Sequence, residues 1–156
     1  MADRKSDVET VERVIAAPPE KIFELLADPA KHSLIDGSGT VRETTEQSER
    51  LKLGSKFGMK MKLGIPYTME NTVIEFEEGR RIAWQPRPTG IGKRFGGRIW
   101  RYELEPVEGG TRVRESWDIS QERGAKWLVG LEGSRKRTRR NMEKTLENIE
   151  RIATSS

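Results

Sequence analysis

The sequence predicts an α+β domain in which a curved, seven-stranded antiparallel sheet wraps around one long C-terminal helix. Three observations carry this. Strand-like runs follow one another from Thr40 to Ile119 with only short turns between them, which leaves no room for the crossover helices that parallel strands need. After Ser120 the apolar period changes. Leu128, Arg135, Met142 and Ile149 are spaced by sevens, as are Leu131, Thr138, Thr145 and Ile152, and together they form one stripe of a helix about eight turns long. A sheet with one apolar face and a helix with one apolar stripe are best buried against each other.

The elements follow in order. Residues 8–16 alternate β-branched apolar residues with charges, as a strand with one wet face does. Pro18 and Pro19 stop that strand and open a helix, because proline's missing N–H costs nothing in a first turn. Ile22, Phe23, Leu25 and Leu26 continue it at helical spacing, and Asp28-Pro29 ends it and starts a second short helix through about Leu34. Asp36-Gly37-Ser38-Gly39 is a turn cluster. Six strand-like runs come next, at 40–46, 55–63, 66–77, 80–86, 97–106 and 111–119. Glu108-Gly109-Gly110, between the last two, is a hairpin signal. Gly124, Gly130 and Gly133 fall in the first turns of the long helix, where they permit a kink. The whole chain, residues 1–156, reads as one domain with a core over about 8–153.

Composition narrows the chemistry. The chain has no cysteine and a single histidine, which removes disulfides, thiol nucleophiles, iron–sulfur ligation and zinc sites built on paired histidines. No metal or cofactor is implied. The start of the chain is polar, without the apolar core of a signal peptide, and no apolar run approaches the ~20 residues that span a bilayer. A cytoplasmic location is the expectation. The net charge of +4 has a definite place: residues 121–153 hold nine Lys/Arg against five Glu, so the whole excess lies in the C-terminal segment.

Alternation assigns faces. Phe57, Met59 and Met61 share one face of their strand, opposed by Lys56, Lys60 and Lys62. Trp100, Tyr102 and Leu104 oppose Arg101, Glu103 and Glu105. Val113, Glu115, Trp117 and Ile119 oppose Arg112, Arg114 and Asp118. The 66–77 run carries apolar residues on both faces, with Met69 and Val73 in one set and Ile74 and Phe76 in the other; a bulge can switch between them. The inner list is rich in Met and aromatic rings, which line pockets as well as fill cores. Glu115 on the inner face, with Arg135 and Thr138 in mid-stripe of the helix, argues for a wet or ligand-filled interior, since a buried charge is paired or solvated.

Ala16-Ala17-Pro18-Pro19-Glu20-Lys21-Ile22-Phe23-Glu24-Leu25-Leu26-Ala27-Asp28-Pro29 resembles the opening motif of the START-like, or SRPBCC, superfamily, and the order of elements matches over essentially the whole chain. The branch it resembles most is the polyketide cyclase/dehydrase and lipid-transport group. The resemblance implies a helix-grip fold and a hydrophobic cavity. It does not carry a catalytic set.

The functional expectation is a carrier or binding protein for a lipid- or polyketide-like small molecule held between sheet and helix. Phe57, Met59, Met61, Met69, Trp100, Tyr102, Trp117, Thr138 and Met142 are the expected lining. A polyketide cyclase or dehydratase is the alternative, with Glu115 as base and Arg135 or Tyr102 stabilising an enolate. The sequence leaves open which of the two it is. A third reading is an interaction module. Lys136, Arg137, Arg139 and Arg140 face outward if Arg135 and Thr138 face in, and would meet an acidic carrier protein or an anionic membrane. The patch lacks the interleaved aromatics that nucleic-acid binding uses. His32, the only side chain that ordinarily titrates near neutrality, reads as a surface helix residue near the cavity rim, and its pairing with Asp36 as a general base is the weaker reading. The oligomeric state is not readable.

Overall fold

The computed structural model describes residues 6–39, 41–44, 49–63, 65–88, 96–123 and 126–155, without the side chains of 41–44, 59 and 61–67. The architecture is α+β: an open antiparallel sheet with a long C-terminal helix. The strands are β1 (Val8–Ile15), β2 (Val41–Thr44), β3 (Lys56–Leu63), β4 (Ile65–Glu77), β5 (Arg81–Pro88), β6 (Ile99–Val107) and β7 (Gly110–Asp118). They lie in the order β1-β7-β6-β5-β4-β3-β2, each neighbour antiparallel. Two short helices, α1 (Pro19–Ala27) and α2 (His32–Ile35), follow β1, joined by a 3-10 turn at Pro29–Lys31. The chain ends in α3 (Lys126–Val129) and α4 (Glu132–Ala153). Among the described residues no helix is long and apolar enough to cross a membrane.

Local chemistry explains the boundaries. Pro19 occupies the first turn of α1, and Ile22, Phe23, Leu25 and Leu26 are its buried face. The Asp28 carboxylate accepts from the Ala30 N–H at 3.0 Å, capping the 3-10 turn. The β6–β7 turn needs Gly109 at φ +86°, a conformation that L side chains avoid. β5 runs past Pro86 to Pro88, beyond its expected end. It pairs with β6 only over Arg81–Trp84, so beyond Trp84 its second edge has no ladder that a proline would break. The β4 register shifts between Val73 and Glu75. This bulge lets Val73 stay buried while Phe76 packs edge-on against Phe23 at 5.5 Å, which resolves the two-faced pattern of the sequence.

The long helix is where the sequence reading needs correction. The chain breaks after α3, and Leu131 is extended, with ψ 150°. Register therefore restarts at Glu132. Leu128 and Leu131, assigned to the buried stripe, are both exposed. The true stripe of α4 is Arg135, Met142, Thr145, Leu146, Ile149 and Ala153, with Thr138 half-buried. The physical reason lies in glycine's cost within a helix and in a competing bond. The Gly130 carbonyl, which a continuous helix would give to residue 134, accepts instead from Arg135 Nε at 2.7 Å.

β1 is a sheet edge, and α4 packs along it. Glu9 bonds Arg135 and Arg139, and Arg13 bonds Glu150 at 2.9 Å. The other side of α4 receives the loop after α2. A Cβ on Gly37 would stand 2.2 Å from the Asn141 carbonyl oxygen, so only glycine lets this loop lie so close. The Gly37 N–H donates to Thr145 Oγ1 at 2.9 Å.

Candidate functional site

The inner face of β5, β6 and β7 builds the site. The register sets Trp84 opposite Trp100, Trp100 opposite Trp117, and Tyr102 opposite Glu115. Partners directly opposite on neighbouring strands project to the same side, so three tryptophans form a row with the Tyr102–Glu115 pair beside it. α2 covers this wall with His32. The imidazole stacks on Trp84, with centroids 4.8 Å apart, and meets the edge of Phe57 at 5.3 Å. Trp84 in turn lies 5.4 Å from Tyr102. The Tyr102 hydroxyl donates to Glu115 Oε1 at 2.8 Å. A continuous set of contacts therefore runs from Phe57 through His32, Trp84 and Tyr102 to Glu115.

The electrostatics of this set are unusual. Glu115 is 2% exposed. Burial pushes its carboxyl up to about 8, against the pull of the Tyr102 hydrogen bond, and Asp36 raises it further. At neutral pH it is mostly an uncharged acid. The Tyr102 phenol is raised well above its ordinary range by burial and by Glu115. His32 is 3% exposed, and burial holds it down to about 4. Its Nε2 lies 2.8 Å from the Leu26 carbonyl. A carbonyl only accepts, so this nitrogen carries the proton and Nδ1 holds the lone pair.

Three polar atoms on this wall have no hydrogen-bond partner among the described residues: His32 Nδ1, Glu115 Oε2 and Trp117 Nε1. Leaving a buried donor or acceptor unmade costs about 1–3 kcal/mol each. Such groups are rare unless a ligand or water serves them. Buried Glu122 also has an unbonded oxygen, but that oxygen faces Arg98 Nε at 3.5 Å.

The sequence-assigned residues divide into those brought together and those kept apart. Phe57, Tyr102, Trp117 and Met142 are buried in one hydrophobic core, half-buried Trp100 packs against it, and Glu115 is buried beside Tyr102. Met69 is half-buried opposite Pro88. The side chains of Met59 and Met61 lie outside the described residues. Arg135 is buried, but it is not a partner of Glu115. Its guanidinium donates to the Gly130 carbonyl at 2.7 Å, the Ser6 carbonyl at 2.6 Å and Glu9 Oε1 at 3.2 Å. Three acceptors outside the Glu115 pair hold it. The outward-facing set Lys136, Arg137, Arg139 and Arg140 is exposed as expected. Arg139 is also tied to Glu9 at 2.9 Å.

His32 is a second correction, because it is an interior residue. The signal was its spacing of three from Ile35, which puts both on one face of α2; both are buried. Trp84 was missed as well. Its strand alternates Ile82, Trp84 and Pro86 inward, a pattern as legible as the ones that were used. Asp36 binds its own turn: Ser38 N–H and Oγ donate to its carboxylate at 3.1 and 2.8 Å. That turn holds Asp36 close enough to raise Glu115.

At the α3–α4 junction an open depression of about 510 Å³ is lined by Asp7, Ile119, Lys126, Trp127, Gly130 and Arg135. Ile119 follows the last residue of β7, two residues after Trp117. Trp127 stands 74% exposed at its rim.

Known proteins resemble this one in sequence and in fold. The uncharacterised protein Rv0088 of Mycobacterium tuberculosis is 38% identical over 106 residues, 67% of this chain and 44% of its own length. The chain thus spans less than half of that relative. Protein CV1439 of Chromobacterium violaceum superposes with a TM-score of 0.72 at 16% identity, covering 96% of this chain and 99% of that one. Protein Ms6760 of Mycobacterium smegmatis gives 0.70 at 18% identity, covering 98% and 97%. Residues 8–154 match the model of the polyketide cyclase/dehydrase and lipid transport family, and the chain belongs to that family within the START-like, or SRPBCC, superfamily.

Proposed function

We propose that the protein is a binding or carrier protein for a hydrophobic small molecule, held between the sheet and α4 in a helix-grip arrangement. The observation that carries this is the trio of buried, unpartnered polar atoms on an otherwise aromatic wall. A solid core would have no reason to hold His32, Glu115 and Trp117 with bonding capacity unused. A lipid- or polyketide-like molecule with a polar edge would use that capacity while covering the rings. The depression beside Trp127 is the mouth through which such a ligand enters, with the Gly130 break as the point where α3 moves away from α4. Native mass spectrometry of the purified protein tests the reading. A co-purifying or added apolar molecule bound one to one is the expected result. A protein that binds no member of a broad apolar panel would refute it.

The Glu115–Tyr102 pair favours a second reading, a cyclase or dehydratase. A carboxyl whose proton leaves near pH 8 is matched to proton transfer at neutral pH. As a carboxylate, Glu115 would take the proton next to a substrate carbonyl, and the Tyr102 hydroxyl would turn from Glu115 to the developing enolate oxygen. Turnover lost in Glu115→Gln with ligand binding kept is the outcome this reading requires. Equal turnover in the variant would remove it.

A further inference from the structure

Resting on the binding reading above, we infer that the interior site selects an uncharged ligand that donates a hydrogen bond, a hydroxylated ring in particular, and rejects carboxylate-bearing lipids. The donor requirement comes from His32. Its Nε2–H is committed to the Leu26 carbonyl at 2.8 Å, so the buried Nδ1 can only accept. A hydroxyl or N–H from the ligand is what it lacks. The indole N–H of Trp117 is donor-only, and it is also buried without a partner among the described residues. A ligand hydroxyl or N–H serves the first, and a ligand hydroxyl or carbonyl oxygen serves the second. The rings around His32, namely Trp84, Phe57 and Tyr102, favour a flat apolar body.

Rejection of anions follows from what the wall does not offer. Among the described residues Arg135 is the only buried cation. Its donors already engage Gly130, Ser6 and Glu9. Apart from His32, which burial keeps neutral, the ionisable groups facing this wall among the described residues are the acids Glu115 and Tyr102, with Asp36 close enough to act on both. A carboxylate placed there loses its hydration and gains no counter-charge.

The test uses the intact protein at about pH 7 and an uncharged fluorescent probe, N-phenyl-1-naphthylamine, displaced by four matched competitors. These are 2-naphthol, 2-methoxynaphthalene, naphthalene and 2-naphthoate. The first donates and accepts, the second only accepts, the third does neither, and the fourth is an anion. Naphthol is expected to displace the probe at roughly tenfold lower concentration than methoxynaphthalene or naphthalene, as one buried hydrogen bond made rather than missed predicts. Naphthoate is expected to be the weakest. His32→Phe keeps the ring and removes Nδ1, so it should erase the advantage of naphthol over methoxynaphthalene. Should that variant fail to fold, the wild-type order still decides. Naphthoate equal to or better than naphthol, or methoxynaphthalene equal to naphthol, would overturn the inference while leaving the binding reading intact. If neither probe nor competitor binds, both fail.

Discussion

Glu115 and Arg135 are both buried ionisable side chains between the sheet and α4, and they stand in opposite conditions. Arg135 makes three hydrogen bonds, to Gly130, Ser6 and Glu9. It joins the α3–α4 break, the N-terminal segment and β1 into one junction. Among the described residues Glu115 has one bond, from Tyr102, and an unused oxygen. A buried charge held by three bonds to its own chain belongs to the protein's structure. A buried acid left half-satisfied has capacity for something else. Proximity in the layer is not the criterion: Arg135 reaches Glu9, which faces Trp117 across the β1–β7 ladder, and Glu115 faces Val11 two residues away.

Substitutions can break or sharpen this contrast. Arg135→Met should have the largest effect. It strips three acceptors of their donor and should cost about 3 kcal/mol or more of stability, read as a lowered urea midpoint. A loss below about 1 kcal/mol would show that the junction holds without it.

Glu115→Gln should act through pH. The Glu115 carboxyl moves from an ordinary 4.5 to about 8 in the fold. The folded protein therefore keeps a proton that the unfolded chain has lost. Stability from this group is full below pH 4.5 and is lost as pH rises towards 8. His32 has the opposite sense. It falls from 6.5 to about 4, so its contribution is full above pH 6.5 and is lost as pH falls towards 4. The two slopes cancel where the windows overlap, between about pH 4.5 and 6.5. Wild-type stability should fall between about pH 6.5 and pH 8.5, and the Gln variant should not follow it, the gap reaching a few kcal/mol. Urea titrations at the two pH values check this; parallel behaviour would mean that Glu115 is not held protonated.

Gly37→Ala forces a methyl group into the α4 backbone at Asn141 and should cost about 1–3 kcal/mol. It should also lower the alkaline midpoint of Glu115 by moving Asp36 away, which titration of the variant's stability would reveal. Trp127→Ser, at the exposed rim, should change stability by no more than about 0.5 kcal/mol. Thermal melts that move by several degrees would show that Trp127 packs against something in solution.

Much of the site was legible residue by residue. Alternation in β6 and β7 put Tyr102, Glu115 and Trp117 on the inner face, because a pleated strand gives each side chain only two directions. Met142 followed from helical period. His32 was not legible in the same way. Its helix is one turn long, too short for periodicity to phase, and its burial is imposed by stacking on Trp84, distant in sequence. Arg135 was placed correctly as buried, but the acceptors that hold it were not legible. Period says which face a residue occupies and nothing of which acceptor a long, flexible side chain will find.

The sequence by itself determined the order of elements, the antiparallel pairing and the polar residues that face inward, since these depend on local period, turn chemistry and connection length. It also placed the whole +4 excess in the C-terminal segment. The tertiary structure alone decided where the long helix begins, which buried charge is satisfied and which is not, and that the one histidine lies inside. Each of these depends on a bond or contact between residues far apart in the chain: Arg135 to Ser6, Tyr102 to Glu115, His32 to Trp84. Such contacts are settled by the close packing of the sheet and α4, which no local pattern encodes.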